Sequence, residues 1–512
     1  MDLLDSNIDS GLDSRPFGAL ERLWLKGEYS SCLRELGEIH EGDTASGLLA
    51  ARCSYRLRDY ARSLEVLQRI QYPHLPLDDL YLIDAHAAAC LAAQGDKIAA
   101  AQRLKRIANA PWQQLKPQTL CEVQQSQALC SWVSGDAQHA QVILDQIAET
   151  DDANQHPRTL MLRSWSCGMR GEWQEQANLL VQAFLLLESH DTPDIGLLSN
   201  VGHALAALAR ERFVPKAFPA LQRLVKRAPW TRDMDFERFQ TLRLHAWALA
   251  LQGGYLPAIH GMMAARRTVP SDRYEVLSHF DSAYLAMIAG ESVTAQAEAA
   301  FAAELTLEID WSNTKLEELA ALIVGAEVLG LSSPDVADEL LQIFHHHAVD
   351  VPRTFGMAHD GRLEGMEAYA RAVIAYGKAR PNDVRRYAAS AYDVFAALEF
   401  DWRAARAAIL LYRVGGGIKW LHAAQSKLKH YPNSFVSAEA QAIADVQSNF
   451  GDLTPRQSEV AARLGSGETL DEVASALRCS RNTVRVHAQK IYRTLGVSGQ
   501  RELLAQQKNE TA

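Results

Sequence analysis

The sequence predicts an all-α protein: a long α-solenoid followed by a small domain of four short helices. Three observations carry this expectation. A helix-break-helix phrase recurs along the first 300 residues. Ala, Leu, Gln, Glu and Arg dominate, and alternating β-branched runs, the mark of strands, are absent. The last 60 or so residues break into four short amphipathic segments with their own capping residues. At 512 residues the chain suits two to four domains, or one repeat array plus a smaller unit. Its 48% hydrophobic and 22% charged content is ordinary for a globular protein and argues against wholesale disorder.

Residues 1–16, MDLLDSNIDSGLDSRP, hold four Asp and one Arg and read as a poorly ordered N-terminus. A secretory leader needs a basic start and an apolar run, and this segment has neither. No stretch of about 18 uncharged apolar residues exists, so no membrane span is expected. The repeat body is expected over residues 17–448. Its phrase reads WLKGEYSSCL at 24–33, YRLRDYARSL at 55–64, LAAQGDKIAAA at 91–101 and WVSGDAQHA at 132–140. It continues as GMRGEWQEQA at 168–177, LQGGYLPAI at 251–259 and IAGESVTAQA at 288–297. The turn position falls at Gly27, Arg58, Gly95, Gly135, Gly171, Gly254 and Gly290, with an unclear copy near residue 211. Glycine takes the left-handed conformation that ends one helix, and small residues let the next helix approach. The phrase resembles the tetratricopeptide repeat, in degenerate copies mostly longer than that unit of about 34 residues. About nine to eleven hairpins are expected. Segments 329–341 and 377–388 keep only the helix-break-helix logic, and 348–362 is the longest break, either a loop or a boundary between two halves. An irregular helical bundle is the alternative.

Charge divides the chain. Residues 451–512 carry nine Lys/Arg and seven Asp/Glu, and Arg478–Arg501 holds six cations and no acid. The rest of a chain with net charge −10 is therefore acidic. An acidic body with a basic end points to a body that meets protein or small molecules and an end that meets nucleic acid. The seven Cys are scattered without a zinc spacing and read as reduced thiols packed as small hydrophobes in a cytoplasmic protein. His345, His346 and His347 follow one another on a helix, about 100° apart, so they cannot share one ion. No phosphate loop, nucleophile elbow, zinc motif or receiver-type strand-helix alternation occurs, so neither a catalytic activity nor a cofactor nor a metal is expected. The ten Trp all precede residue 421; most read as core or hairpin-corner residues, and a few are candidates to line a concave groove that takes a peptide or protein.

The tail, residues 449–512, carries the strongest signal. Thr454 caps a first helix, with Pro455 at its first position and Gln457 completing a capping box. A second helix spans about 470–477. Arg478-Cys479-Ser480 makes a tight turn, and Ser480 caps a third helix over about 481–494. Val484, Ala488, Ile491 and Leu495 form its buried stripe. Gly496 ends it, and Ser498 caps a fourth helix with Leu503 and Leu504. The outward face of the third helix offers Arg481, Asn482, Arg485, Val486, Gln489, Lys490 and Arg493 and nothing acidic. Such a face suits a DNA major groove: Arg forks onto guanine, Gln pairs with adenine, and Val meets a thymine methyl. Two short helices at a tight turn make a helix-turn-helix, whose second helix reads bases.

This segment resembles the DNA-binding domain of the LuxR family, also called FixJ/NarL-type. The matching residues are Leu453, Thr454, Arg456, Glu459, Val460, Gly467, Val473, Ala474, Leu477, Ser480, Thr483, Val484, Arg485, His487, Ile491, Leu495, Gly496, Val497 and Arg501. The resemblance implies base contacts from Arg485, Val486 and Gln489. It implies backbone or flanking contacts from Arg481, Asn482, Thr483, His487, Lys490 and Arg493, and dimerisation through Leu503 and Leu504. It also implies double-stranded DNA and a second copy as partners, with RNA polymerase as a candidate contact. Two departures stand out. Gln457 occupies a position usually held by Glu, and Thr469–Val473 replaces Ser-Asn-Lys-Glu-Ile, so that Asp471 weakens a backbone contact. The expected function is a one-component transcription regulator whose repeat body senses a signal. The alternative is a repeat scaffold or antagonist that uses its helix-turn-helix for protein contact.

Overall fold

The computed structural model describes residues 17–37, 43–70, 75–107, 112–133, 136–148, 157–190, 193–227, 230–311, 314, 316–348, 361–449 and 453–510. The expectations for 1–16 and for most of the 348–362 break lie outside these residues, as does Gly135. The described residues form 27 α-helices and no strand. Before the tail they pair in sequence into eleven antiparallel hairpins, from Phe17–Leu25 with Tyr29–Leu36 to Asp401–Leu411 with Ile418–Lys427. One unpaired helix, Phe435–Asn449, follows. First helices of consecutive hairpins also pack on one another, as Leu77–Ala93 does on Pro117–Val133 and Ile195–Glu211 on Asp235–Ala250. This is a tetratricopeptide-like stack, in which each unit buries its apolar face against its neighbours.

The hairpin corners follow one backbone rule. Gly27, Gly95, Gly171 and Gly290 take φ of 72°, 86°, 77° and 82°. At Gly27 the next residue, Glu28, donates its amide to Leu23 O at 2.9 Å, the six-residue closure of a Schellman cap. The corner expected at Gly254 sits one residue earlier. Gly253 is left-handed at φ 84°, and Gly254 closes the cap onto Leu249 O at 2.9 Å. Arg58, Ala379 and Glu399 make the same corner without glycine, at φ 64°, 54° and 57°. The copy near 211 is unclear for a structural reason: Arg212 leaves its helix in extended conformation, so that corner has no left-handed residue.

The superhelix meets itself. Ser30 donates its amide and hydroxyl to Asp233 at 2.6 and 2.7 Å, across 203 residues of sequence. Thr231 Oγ1 donates to Gly27 O at 2.7 Å, and a Cβ on Gly27 would lie 2.4 Å from Met234 Sδ. The pattern repeats one turn on. Arg403 pairs with Glu211 at 2.6 Å, Trp402 Nε1 donates to Arg210 O at 3.0 Å, and Arg212 Nη2 donates to Leu398 O at 2.9 Å. Trp247 and Trp402, two of the ten Trp, are buried core residues near this second contact. Residues 239–440 share one continuous apolar core, whereas residues 48–162 are held by four small clusters. The tail has its own core of Leu453, Val460, Leu464, Val473, Leu477, Val484, Ile491 and Leu503. No helix among the described residues is long and apolar enough to cross a membrane.

Candidate nucleic-acid interface

The tail folds as four helices, Pro455–Gly465, Leu470–Ala476, Arg481–Leu495 and Gln500–Glu510. Each start is set by local chemistry. Thr454 and Gln457 make the expected capping box, with Gln457 Oε1 accepting the Thr454 amide at 2.9 Å. Thr469 and Glu472 make a full box, with the Thr469 amide on Glu472 Oε2 at 2.7 Å and the Glu472 amide on Thr469 Oγ1 at 3.3 Å. Ser480 Oγ accepts the Thr483 amide at 3.0 Å and so fixes the first turn of the third helix. Gly496 ends that helix at φ 69°. Ser498 donates its amide to Glu502 Oε2 at 2.6 Å, a start reinforced from within the fourth helix.

Val484, Ala488 and Ile491 of the third helix are buried against the first two helices. A helix buried along one stripe presents the rest to solvent. Arg481, Asn482, Thr483, Arg485, Val486, Gln489, Lys490 and Arg493 are all exposed. Val486, at 44% exposure, is an apolar side chain held in water among cations. Arg485 Nη2 donates to Asn482 Oδ1 at 2.7 Å, which lines up the fork and the amide on one edge. The Thr483 hydroxyl lies 2.8 Å from Ser480 Oγ, so it serves the cap as well as facing outward. Among the described residues the one carboxylate paired to this face is Asp471, 3.4 Å from Arg481, with both side chains 68% exposed. The acid that replaces a usually basic position is thus spent on the cation at the helix start.

Two expected roles change on inspection of the side chains. Leu503 is 1% exposed and belongs to the tail's own core, so it is not available to a second copy. Leu504 is half-buried and keeps that role as a candidate. His487 is half-buried, and its Nδ1 is enclosed without a hydrogen-bond partner. Burial, with Arg456 and Lys490 nearby, holds its imidazole below the ordinary value and favours the neutral ring. It packs under the face rather than standing on it.

The sequence assigned no positioning role to several residues that tie the domain together. Arg456 pairs with Glu459 at 2.9 Å and also donates to Leu477 O, tying the first helix to the end of the second. Gln500 Nε2 donates to Leu464 O at 3.0 Å and Glu468 O at 2.8 Å, tying the fourth helix to the first turn of the domain. Arg478, left-handed at φ 49° in the helix-turn-helix turn, donates to Gly377 O of the body at 3.3 Å. A second tie runs from Tyr412 Oη to Gln447 Oε1 at 2.7 Å, then from Gln447 Nε2 to Leu453 O at 3.2 Å. The first tail helix also packs on the turn Tyr412–Gly416. The tail is therefore docked on the last hairpins with its third helix open. The turn at Arg478 was legible in the sequence, whereas its contact with the body was not.

Comparisons with known proteins fit this geometry. Residues 452–505 match GerE, the bacterial regulatory proteins of the luxR family. No curated protein sequence matches the chain. Among solved structures the chain is similar to one from the crystal structure of the APC/C hetero-tetramer Cut9-Hcn1, at 12% identity and a TM-score of 0.41, covering 96% of this chain and 89% of that one. That likeness is too distant to carry an argument, and the hairpin architecture rests on the helix pairing described above. Residues 452–505 form a luxR-family helix-turn-helix domain at the end of a helical-repeat body.

Proposed function

We propose that the chain is a sequence-specific DNA-binding transcription regulator, in which the helical-repeat body receives a signal and governs the helix-turn-helix domain. The observation that carries this reading is the solvent-facing side of Arg481–Leu495, which shows cations, amides and one valine on a rigidly capped helix. In this reading Arg485, Val486 and Gln489 read base edges. Arg481, Asn482, Thr483, Lys490 and Arg493 hold the backbone, and His487 supports them from below. Two copies bind a two-fold site, with Leu504 at their seam, and RNA polymerase is met from the same assembly. The repeat body takes a protein, peptide or small molecule, and the protein works in the cytoplasm, where the DNA is. The ties from Arg478 and Gln447 supply the route by which a change in the body moves the domain.

The test is selection of bound DNA fragments with the purified full-length protein, beside two variants. Arg485→Ala is expected to lose about 1–3 kcal/mol of preference at one base position. Lys490→Ala is expected to weaken all sequences alike and to lower the salt slope by about 1. Equal loss of preference from both overturns the division of roles. No enrichment at moderate salt overturns the regulator in favour of an interaction scaffold.

A further inference from the structure

Among the described residues thirteen large apolar side chains are exposed, and five of them stand on two neighbouring helices. Leu256 and Met263 lie on Tyr255–Arg266 at 64% and 56% exposure, and Val293, Phe301 and Leu307 lie on Ser292–Glu308 at 80%, 49% and 71%. These are the second helices of consecutive hairpins, and Arg266 Nη1 bridges them to Glu298 Oε1 at 3.0 Å. Exposed apolar side chains gathered on adjoining elements mark an interaction surface, whereas scattered ones do not.

Each helix carries its exposed residues as one stripe. On the first, Leu256, His260, Met263 and Arg267 recur at steps of four, three and four, and all are exposed. On the second, Val293, Ala297, Ala300, Glu304 and Leu307 recur at steps of four, three, four and three, and all are exposed. That spacing is the seam of a helix that packs lengthwise on another. The two stripes are also in register. The hairpin corners Gly253 and Gly290, left-handed at φ 84° and 82°, are 37 residues apart. The same offset relates Leu256 to Val293, His260 to Ala297, Met263 to Ala300 and Arg267 to Glu304. Large therefore stands level with small, and cation with carboxylate. Both stripes face solvent, so they do not cover one another within one copy. The complement of each lies on the same chain, which is the condition for an isologous two-fold contact.

We propose that this face docks a second copy of the chain. A two-fold axis between the two helices, running along them, lays Tyr255–Arg266 of each copy on Ser292–Glu308 of the other. Met263 then packs over Ala300 of the other copy, Leu256 meets Val293, and Arg267 meets Glu304, each twice. Among the described residues neither Arg267 nor Glu304 is in an ion pair, so both charges are available to that contact. The tail by itself offers a second copy little, since Leu503 is enclosed in its own core and Leu504 is half-buried. A stable pair needs about 800 Å² from each partner, an area that suits two helices of 12 and 17 residues rather than one leucine. The two copies of the regulator proposed above are then held together by their bodies, and the pairing exists without DNA.

The experiment is sedimentation velocity of the DNA-free, full-length protein at micromolar concentration, where a two-chain species is expected. Ala300→Arg changes an exposed residue at the centre of the seam, so it spares the fold, and should weaken pairing about a hundredfold. Arg267→Glu should weaken it about tenfold, and adding Glu304→Arg should restore it, a rescue that contact between copies in this register produces. A monomer at every concentration overturns the proposal and leaves the face to a different protein. A dimer that Ala300→Arg leaves intact overturns it as well, and loss of that dimer in Leu504→Asp instead places the seam in the tail. A charge swap without rescue overturns the arrangement of one helix on the other. None of these outcomes decides DNA binding, which the selection experiment reads separately.

Discussion

The buried contact between superhelical turns, the hub of the body, and the third helix of the tail use arginine in opposite ways. In the hub, Arg210, Arg243 and Arg403 are at most 9% exposed and are set against Glu211 and Asp281. On the third helix, Arg485 and Arg493 stand in water with no ion pair among the described residues, and Arg481 has only a loose, exposed one. A buried arginine answered by a carboxylate locks two parts of the chain together, because breaking the pair strands a charge out of water. An exposed, unanswered arginine adds almost nothing to folding and remains available to a polyanion. The same residue type thus marks architecture in one region and ligand binding in the other, and burial is what separates the two roles.

The difference can be broken most forcefully at Glu211. Glu211→Gln leaves three guanidinium groups around a neutral amide and should cost about 3–5 kcal/mol, read by urea unfolding of the whole chain. The same carboxylate sets an acid limit. Burial would raise its value, but Arg403, Arg210 and Arg362 outweigh burial and bring it down to about 2. The stability it contributes is therefore complete above its ordinary value of 4.5 and is lost as pH falls from there toward 2. A pH titration of the unfolding midpoint, compared with the Gln variant, isolates that slope. On the other side of the comparison, Ser480→Ala removes the cap of the third helix and should cost about 1 kcal/mol, confined to the tail. Its signature is faster amide exchange at Thr483 with the body unchanged. The smallest effect is expected from Asp471→Asn. It releases Arg481 from its exposed pair, leaves stability within about 0.5 kcal/mol, and tightens DNA binding modestly with a steeper salt dependence. Unchanged salt dependence would remove Arg481 from the DNA-facing set.

The sequence made the tail legible almost residue by residue. Thr454, Ser480 and Gly496 sit at the predicted helix ends because caps are satisfied by groups only a few positions away. The stripe of Val484, Ala488 and Ile491 was equally plain, since periodicity is a local property. Leu503 was misjudged because exposure on a helix depends on which neighbour covers it, here the tail's own first helix. In the body, glycine corners at 27, 95, 171 and 290 could be read, whereas Ala379 and Glu399 could not. Their left-handed backbone is paid for by packing of the hairpin, and nothing in an alanine or glutamate announces it. The corner read at Gly254 was one residue late, because the Schellman closure onto Leu249 O puts the left-handed residue at Gly253.

What the sequence determined by itself is therefore whatever short-range chemistry controls: helices rather than strands, the hairpin rhythm, the capped third helix and its cationic face. What only the tertiary structure decided is where distant residues meet. Glu211 and Arg403 are 192 residues apart, Ser30 and Asp233 are 203 apart, and Arg478 and Gly377 are 101 apart. Each hairpin adds a small rotation to the stack, and only the sum over several hairpins sets whether one turn touches the next. The burial of the hub and the dock of the tail are products of that accumulated geometry.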